Sequence, residues 1–187
     1  MEAIESFDVE GYTVKIYSDD HPESPREWDN LGHMVCWHRG YDLGDRRVRP
    51  GEFASLEELA ASFDAHVILP LYLLDHSGIT ISTSSEHFRM VDSAGWDWGQ
   101  VGCIYVTAEE IRKEYSVDEV TPELEARVRE VLVGEVQTYD QYLTGQVYGY
   151  VVEDCYGQHW DSCWGFYGLE YAIAEAKQAA EHCGNKE

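Results

Sequence analysis

The chain has 187 residues, of which 44% are hydrophobic and 13% aromatic, and it carries 36 acidic against 13 basic residues for a net charge of −23. A chain of this length and apolar content can bury a core as one domain, which excludes a disordered acidic tail. No apolar run approaches the roughly 20 residues that a helix needs to span a bilayer, which argues against a membrane protein of that kind.

The N-terminus and the cysteines indicate a reducing compartment. The first five residues are acidic and lack the basic and then apolar order of a signal peptide, so we expect a cytoplasmic protein. The chain has five cysteines, an odd number, and at this length it does not need disulfides for stability. Free thiols are therefore the simplest prediction.

The N-terminal third predicts two strands, a loop and a helix. Alternation over Tyr12–Tyr17 predicts an edge strand, and the polar segment 18–30, with two prolines, predicts a loop-rich stretch. Leu31–His38 predicts a short strand. Ser55 has the character of a helix N-cap, and Glu58 three residues later would complete a capping box.

The longest apolar run lies at the centre of the chain. Val67–Leu74 predicts a buried central strand, although Pro70 favours an edge or a bulge because proline cannot donate to a ladder. Ile79–Thr83 alternates and would pair with that strand as a hairpin. The connecting Asp75–Gly78 predicts a turn stabilised by its Asp and Ser side chains. Residues 84–100 are loop-rich.

The rest of the chain predicts further strands and three helices. Val101–Val106 predicts a strand, and Thr107 with Glu110 predicts a second capping box. A long amphipathic helix would begin at Thr121-Pro122 and end near Gly145. The remaining predictions are a strand over Val147–Glu153, an aromatic turn over Asp161–Gly168 and an Ala-rich helix over Glu170–Cys183.

This order of elements predicts an α+β fold. Residues 1–187 would form a single domain, with a mixed or antiparallel sheet and three to four helices packed on it.

The residue patterns do not predict a catalytic or metal site. Asp75-His76-Ser77 has the residue types of a nucleophilic triad, but three consecutive residues cannot align nucleophile, base and orienting group. Two thiol–imidazole sets could form the halves of a zinc site, but their spacings differ from the usual zinc clips. These sets are His33, Cys36 and His38, and Cys155, His159 and Cys163. We expect no metal and no cofactor.

The acidic excess is distributed along the chain. Residues 1–30 carry nine acids and two bases, and residues 51–150 carry eighteen acids and five bases. Such a field repels nucleic acid and membrane surfaces and attracts basic partners. Two explanations stay open: solubility or adaptation to a high-salt cell, and a surface that engages a nucleic-acid-binding protein.

Candidate binding residues are acids, one histidine and tryptophans in segments that resemble loops, because exposed aromatic residues anchor interfaces and carboxylates attract basic grooves. They are Asp19, Asp20, Trp28, Asp29, Asp75, His76, Trp96, Asp97, Glu109 and Glu110.

Five ordered strings of the chain resemble a family of acidic proteins carried by phages and plasmids. They occupy residues 26–45, 69–83 (LPLYLLDHSGITIST), 99–115, 135–150 and 161–168 (DSCWGFYG). The chain departs from the family pattern at Trp98, where the pattern has serine, and Ser84–Gly95 is longer than in the pattern. The resemblance carries over no catalytic residue.

The resemblance implies a role in countering host defence. Small acidic proteins of mobile elements often occupy the nucleic-acid-binding surface of restriction or CRISPR enzymes, and spaced carboxylates can imitate phosphates there. We therefore expect a non-enzymatic, DNA-mimic-like inhibitor of a host nucleic-acid-binding defence protein. The alternative is a small hydrolase-like enzyme of phage or plasmid metabolism, with its site around Asp75 and His76.

Overall fold

The computed structural model describes residues 2–184. Within that range the chain forms five α-helices and nine strands in two sheets, which confirms the α+β class with antiparallel and mixed pairing. The strands divide between two compact units. We call residues 2–24 with 141–184 the terminal unit, and Pro25–Asp140 the central unit. Among the described residues, no helix is both long and apolar enough to cross a membrane.

The elements follow one another along the chain, with a short 3-10 helix at Pro25–Glu27. They are β1 (Glu5–Val9), β2 (Tyr12–Ser18), β3 (His33–Cys36), β4 (Arg46–Arg47), α1 (Leu56–Ser62), β5 (Ala65–Asp75), β6 (Ile79–Ser82), α2 (Glu86–Val91), β7 (Trp98–Thr107), α3 (Ala108–Tyr115), α4 (Pro122–Leu143), β8 (Val147–Glu153), β9 (His159–Tyr167) and α5 (Leu169–Gly184).

The central unit is built on a five-stranded sheet with the order β4-β3-β7-β5-β6. Its interior strand β5 contains the apolar run of the sequence, and Val67 and Leu71 are completely buried there. Pro70 is tolerated because β6 pairs only with Tyr72–Asp75, which leaves one side of β5 without a ladder at the proline. The predicted central strand and its hairpin with β6 are confirmed.

Helices α1 and α3 of the central unit begin where their capping residues predict. The Ser55 hydroxyl accepts the Glu58 backbone N–H at the start of α1, and Thr107 and Glu110 form a complete capping box at α3. Helix α4 packs through Leu132 close to the backbone at Gly32. A Cβ at Gly32 would lie 2.5 Å from the Leu132 side chain, so only glycine allows this approach.

The terminal unit has an antiparallel sheet of order β1-β2-β8-β9, covered on one face by α5. Ala176 and Ala180 of the helix are completely buried in the same cluster as Val14, Ile16 and Val152 of the sheet. The small alanine side chains let the helix backbone approach the strands closely, which explains the Ala-rich sequence of α5.

Two local predictions were wrong. Tyr12–Tyr17 is not an edge strand, because β1 pairs with its outer side from Glu5 to Val9. Asp161–Gly168 is not a turn, because its first seven residues belong to strand β9, which pairs with β8. The segment 84–100 also contains a helix, α2, and the start of β7.

Candidate functional site

The turn between β5 and β6 lies beside the loop that precedes β7. The Asp75 backbone N–H donates to the Asp97 carbonyl at 2.7 Å, and His76 Nδ1 lies 2.9 Å from Asp97 Oδ2. The turn itself is closed by the His76 N–H, which donates to the Gly78 carbonyl at 3.0 Å. The structure thus brings together three residues that the sequence singled out. We call Tyr41, Asp75, His76 and Asp97 the turn cluster.

Tyr41 joins this cluster from the loop after β3. Its hydroxyl donates to Asp75 Oδ2 at 2.9 Å, and this hydrogen bond raises the pKa of the Tyr41 phenol above its ordinary value. The Asp75 side chain is therefore bound to Tyr41. The sequence had suggested that this side chain stabilises the turn, and that prediction was wrong. The turn depends instead on its backbone hydrogen bond and on Ser77 and Gly78, which have positive φ angles of 61° and 142°.

The loop before β7 is organised by one carboxylate. Asp92 accepts the backbone N–H groups of four successive residues, 94 to 97, at 2.6–3.2 Å. These bonds, chiefly the one from Asp97, hold the pKa of Asp92 below its ordinary value despite partial burial. Trp98 donates its indole N–H to the Asp92 carbonyl at 2.8 Å, whereas Trp96 projects outward with 87% of its surface exposed.

The turn cluster has part of a hydrolytic constellation. Asp97 and His76 have the relation of an orienting carboxylate and a base. No serine, threonine or cysteine of residues 2–184 makes a hydrogen bond to His76, and its side chain is 61% exposed. Asp75, His76 and Ser77 do not form a triad, because Asp75 binds Tyr41 and His76 binds Asp97.

A second group of candidates lines a cleft beside α3, which we call the α3 cleft. Its volume is about 400 Å³, and its lining includes Asp29, His33, Glu110, Lys113 and Glu114. His33 Nε2 lies 2.6 Å from Glu110 Oε1. Burial raises the pKa of Glu110, but hydrogen bonds with His33 and Thr107 outweigh it and hold the pKa below 4.5.

The ten candidate residues fall into three places. Asp75, His76, Trp96 and Asp97 lie at the β5–β6 turn and the loop beside it. Asp29 and Glu110 line the α3 cleft, with Trp28 and Glu109 next to them in the chain. Asp19 and Asp20 belong to the terminal unit, where Asp19 Oδ1 accepts the His21 backbone N–H at 3.0 Å.

The two thiol–imidazole sets of the sequence analysis, His33/Cys36/His38 and Cys155/His159/Cys163, do not have the geometry of a metal site among the described residues. Within residues 2–184, no three His, Cys, Asp or Glu side chains are grouped so that they could hold a metal ion. In β3, His33 and Cys36 are three residues apart, so their side chains lie on opposite faces of the strand, and His33 is exposed while Cys36 is buried. All five cysteines are free thiols, and burial raises the pKa of Cys36 to about 12.

One cavity of the terminal unit was missed by sequence reasoning. It has a volume of about 480 Å³ and lies between β9 and α5, lined by Trp160, Asp161, Glu175 and His182 among others. The sequence signal was available, because Trp160 and Asp161 precede a segment rich in strand-forming aromatics. Because that segment was predicted to be a turn, no strand was expected at this position that could form a cavity wall opposite α5.

The net negative charge is divided almost equally between the two units. Three arginines of the central unit contact aromatic rings or backbone carbonyls of that unit. The sequence segments of the terminal and central units carry net charges of −11 (13 acids, 2 bases) and −12 (22 acids, 10 bases). Arg46 and Arg127 lie over the rings of Phe63 and Tyr115, at 5.0 and 5.4 Å from the ring centroids. Arg47 donates to the carbonyls of His38 and Arg39. None of these three arginines forms an ion pair with a carboxylate within residues 2–184.

Comparisons with protein-family models, with curated proteins and with solved structures found no match to this chain.

Proposed function

We propose that the protein binds the basic, nucleic-acid-contacting groove of another protein and competes with nucleic acid for it. The observation that carries this proposal is the uncompensated acidity of a folded surface. With 36 acids and 13 bases, at least 23 carboxylates have no basic side chain to pair with one to one. Carboxylates on a folded scaffold present fixed negative charge to Lys and Arg, as a phosphate backbone does.

The acidic surface around α3 is the best candidate for the contact. Glu110 and Glu114 are one helical turn apart and both line the α3 cleft. Such pairs have Cβ atoms about 5–6 Å apart, so several carboxylates can meet neighbouring cations of one groove. Glu109 is exposed beside them. Trp28, 43% exposed and adjacent in the chain to Asp29, offers an aromatic anchor for such an interface.

The two arginines of α4 that lie nearby already have partners within the central unit. Arg129 pairs with Glu125 at 2.9 Å, and Arg127 lies over the Tyr115 ring. Exposed Glu123 and Glu130 on the same helix have no ion-pair partner among residues 2–184. With Arg112 and Lys113 of α3 included, residues 108–130 carry eight acids and four bases, so this surface keeps a net negative charge, which favours long-range attraction of a basic partner.

In this proposal the protein acts in the cytoplasm as a non-enzymatic inhibitor of a host defence protein, such as a restriction or CRISPR enzyme. The resemblance to phage- and plasmid-borne proteins supplies that context. Binding would depend steeply on salt, because each carboxylate that enters a basic groove replaces a bound counter-ion.

The experiment is a pull-down from host lysate at low and high salt, followed by competition for DNA. Proteins that are retained only at low salt are purified, and their affinity for a labelled duplex is measured with and without this protein. We expect displacement of the duplex by the wild-type chain. The variant Glu109→Gln/Glu114→Gln/Glu130→Gln should compete at least about tenfold less well, which corresponds to about 1.4 kcal/mol.

The matched control removes the same charge from the terminal unit. Glu2→Gln/Glu5→Gln/Glu170→Gln should compete within about threefold of the wild type, a difference of under 1 kcal/mol. Equal losses for both variants would show that net charge alone acts and would contradict a contact through α3. Absence of any displaced duplex would contradict the competition itself.

A second candidate function is hydrolysis at the turn cluster, favoured by the 2.9 Å contact between His76 and Asp97. In that case His76 would act as a base and Asp97 would fix its tautomer. Turnover of an ester or phosphodiester should then be lost in His76→Ala and retained in His87→Ala, a matched exposed histidine of α2. Equal turnover by the wild type and His76→Ala would exclude this function.

A further inference from the structure

The cavity between β9 and α5 combines carboxylates with aromatic walls. Its lining includes the carboxylates of Asp161 and Glu175 and the rings of Trp160 and Tyr150. Both carboxylates are half-buried, and neither forms an ion pair within residues 2–184. At about 480 Å³, the cavity lies in the size range of small-ligand sites.

No lysine or arginine among the described residues of the terminal unit lines this cavity. Lys15 is paired with Glu153 at 2.6 Å, and the Lys177 ammonium lies over the Phe7 ring, 5.5 Å from its centroid. These are the two Lys or Arg residues of the terminal unit within the described range, and neither lines the cavity. Two half-buried carboxylates that no lysine or arginine of the described unit neutralises make an external cation favourable.

The aromatic walls are held in position. Trp160 donates its indole N–H to Asp154 at 3.4 Å and packs edge-on against Tyr12, with ring centroids 5.5 Å apart. Tyr150 stacks on Phe166, with centroids 5.5 Å apart, and its hydroxyl donates to Asp161 at 3.4 Å. Burial, together with the charge of Asp161, raises the pKa of Tyr150 to about 12, so the phenol stays neutral.

The remaining polar lining also accepts hydrogen bonds. The Gln178 carbonyl can only accept, so His182 Nδ1, 2.7 Å away, carries a proton and donates to it. In neutral His182 the other ring nitrogen, Nε2, is therefore an acceptor. The ligand that fits this cavity is a planar cation with several N–H donors, because it must meet acceptors on more than one wall and pack on aromatic rings.

We propose that this cavity binds a guanidinium cation between the Asp161 and Glu175 carboxylates and against the Trp160 indole. The planar guanidinium presents five N–H donors in fixed directions and stacks on aromatic faces, whereas an ammonium group is a compact, strongly hydrated point charge. The proposal concerns the terminal unit alone and does not depend on the function proposed for the α3 surface.

The test is calorimetric titration of the full chain with agmatine, a small guanidinium compound without a carboxylate. We expect a single site with a Kd of about 1 mM or tighter. Glu175→Gln and Asp161→Asn, which keep shape and remove charge, should each raise the Kd at least about fivefold. Trp160→Leu should raise it about two- to fivefold. Circular dichroism and thermal unfolding establish that each variant is folded.

Two controls separate a built site from general attraction. Glu170→Gln removes one charge from the first turn of α5 without touching the cavity lining and should leave the Kd unchanged. 1,4-Diaminobutane carries ammonium groups only and should bind more weakly than agmatine. No measurable heat with agmatine, equal binding of the diamine, or equal effects of Glu170→Gln and Glu175→Gln would each overturn the proposal.

The source of the cation is distinguished by a capped Gly-Arg-Gly peptide. Binding of the peptide as tight as that of agmatine would identify an arginine side chain of a partner protein as the ligand. Binding of agmatine alone would identify a free small molecule. Both results support a guanidinium site, whereas binding of neither ligand contradicts it.

Discussion

Replacement of Arg26 by alanine should destabilise the central unit strongly. The Arg26 side chain is only 6% exposed and joins three parts of that unit. Its guanidinium donates to Asp45 through two bonds of 2.6 and 2.8 Å, to Glu135 of α4 at 3.0 Å and to the Gly32 carbonyl at 2.7 Å. Burial lowers the pKa of this guanidinium, but the hydrogen bonds outweigh it and the pKa is raised, so Arg26 stays charged.

The size of the effect follows from what the substitution leaves behind. Removing one partner of a buried ion pair costs about 3–5 kcal/mol, because the other charge stays buried without compensation. In the variant, the Glu135 side chain, which is 11% exposed, would still accept hydrogen bonds from the backbone N–H groups of Leu31 and Gly32. The Asp45 side chain is 28% exposed and so is partly accessible to water. Both features reduce the loss, so we expect about 3 kcal/mol for Arg26→Ala, at the lower end of that range.

Urea unfolding followed by circular dichroism measures this difference. Arg129→Ala is the matched control, because its pair with Glu125 has 45% and 36% exposed side chains and should contribute about 0.3–0.5 kcal/mol. Arg26→Lys should fall between, because it keeps the charge but loses the planar fork. A loss below about 1 kcal/mol for Arg26→Ala, or one equal to that of Arg129→Ala, would refute the reasoning.

Three further predictions follow from individual contacts. A Cβ at Gly102 would collide with the Val35 carbonyl oxygen, so Gly102→Ala should lower the free energy of unfolding in urea by at least about 2 kcal/mol. A Cβ at Gly99 on the same strand meets open space, so Gly99→Ala should lower it far less. The pKa of Glu110 lies below 4.5, so its stabilisation is present above that pH and is lost as the pH falls through the folded-state value. The stability difference between wild type and Glu110→Gln should therefore narrow in acid, and a constant difference from about pH 6 to about pH 3 would contradict this. Cys155 and Cys163 are exposed while Cys36 and Cys103 are buried, so a thiol reagent should label the first two quickly in the native protein and the others only on unfolding.

Much of the fold was predictable because it depends on local signals. The capping box of Thr107 and Glu110, the proline at the start of α4 and the glycine after its end determine helix boundaries within a few residues of sequence. The apolar run of β5 predicted a buried strand for the same reason. These features depend on neighbours in the chain, so they can be inferred without knowing what lies across the core.

The errors concern features that depend on distant partners. Tyr12–Tyr17 has the alternation of an edge strand, but β1 on one side and β8 on the other make it interior. The glycine-interrupted segment 161–168 looked like a turn, yet β8 holds it as a strand with irregular register near Gly149. Strand position and register are determined by pairing between segments far apart in sequence.

The sequence by itself determined the acidic excess of the chain and the capped starts of helices α1 and α3, and it predicted free thiols. Only the tertiary structure decided which of these residues meet. It placed His76 beside Asp97, Glu110 beside His33, and Trp160 and Asp161 in one cavity with Glu175. The physical reason is that a hydrogen bond or a cavity wall requires positions within a few ångströms, and chain spacing does not specify distances between separate elements.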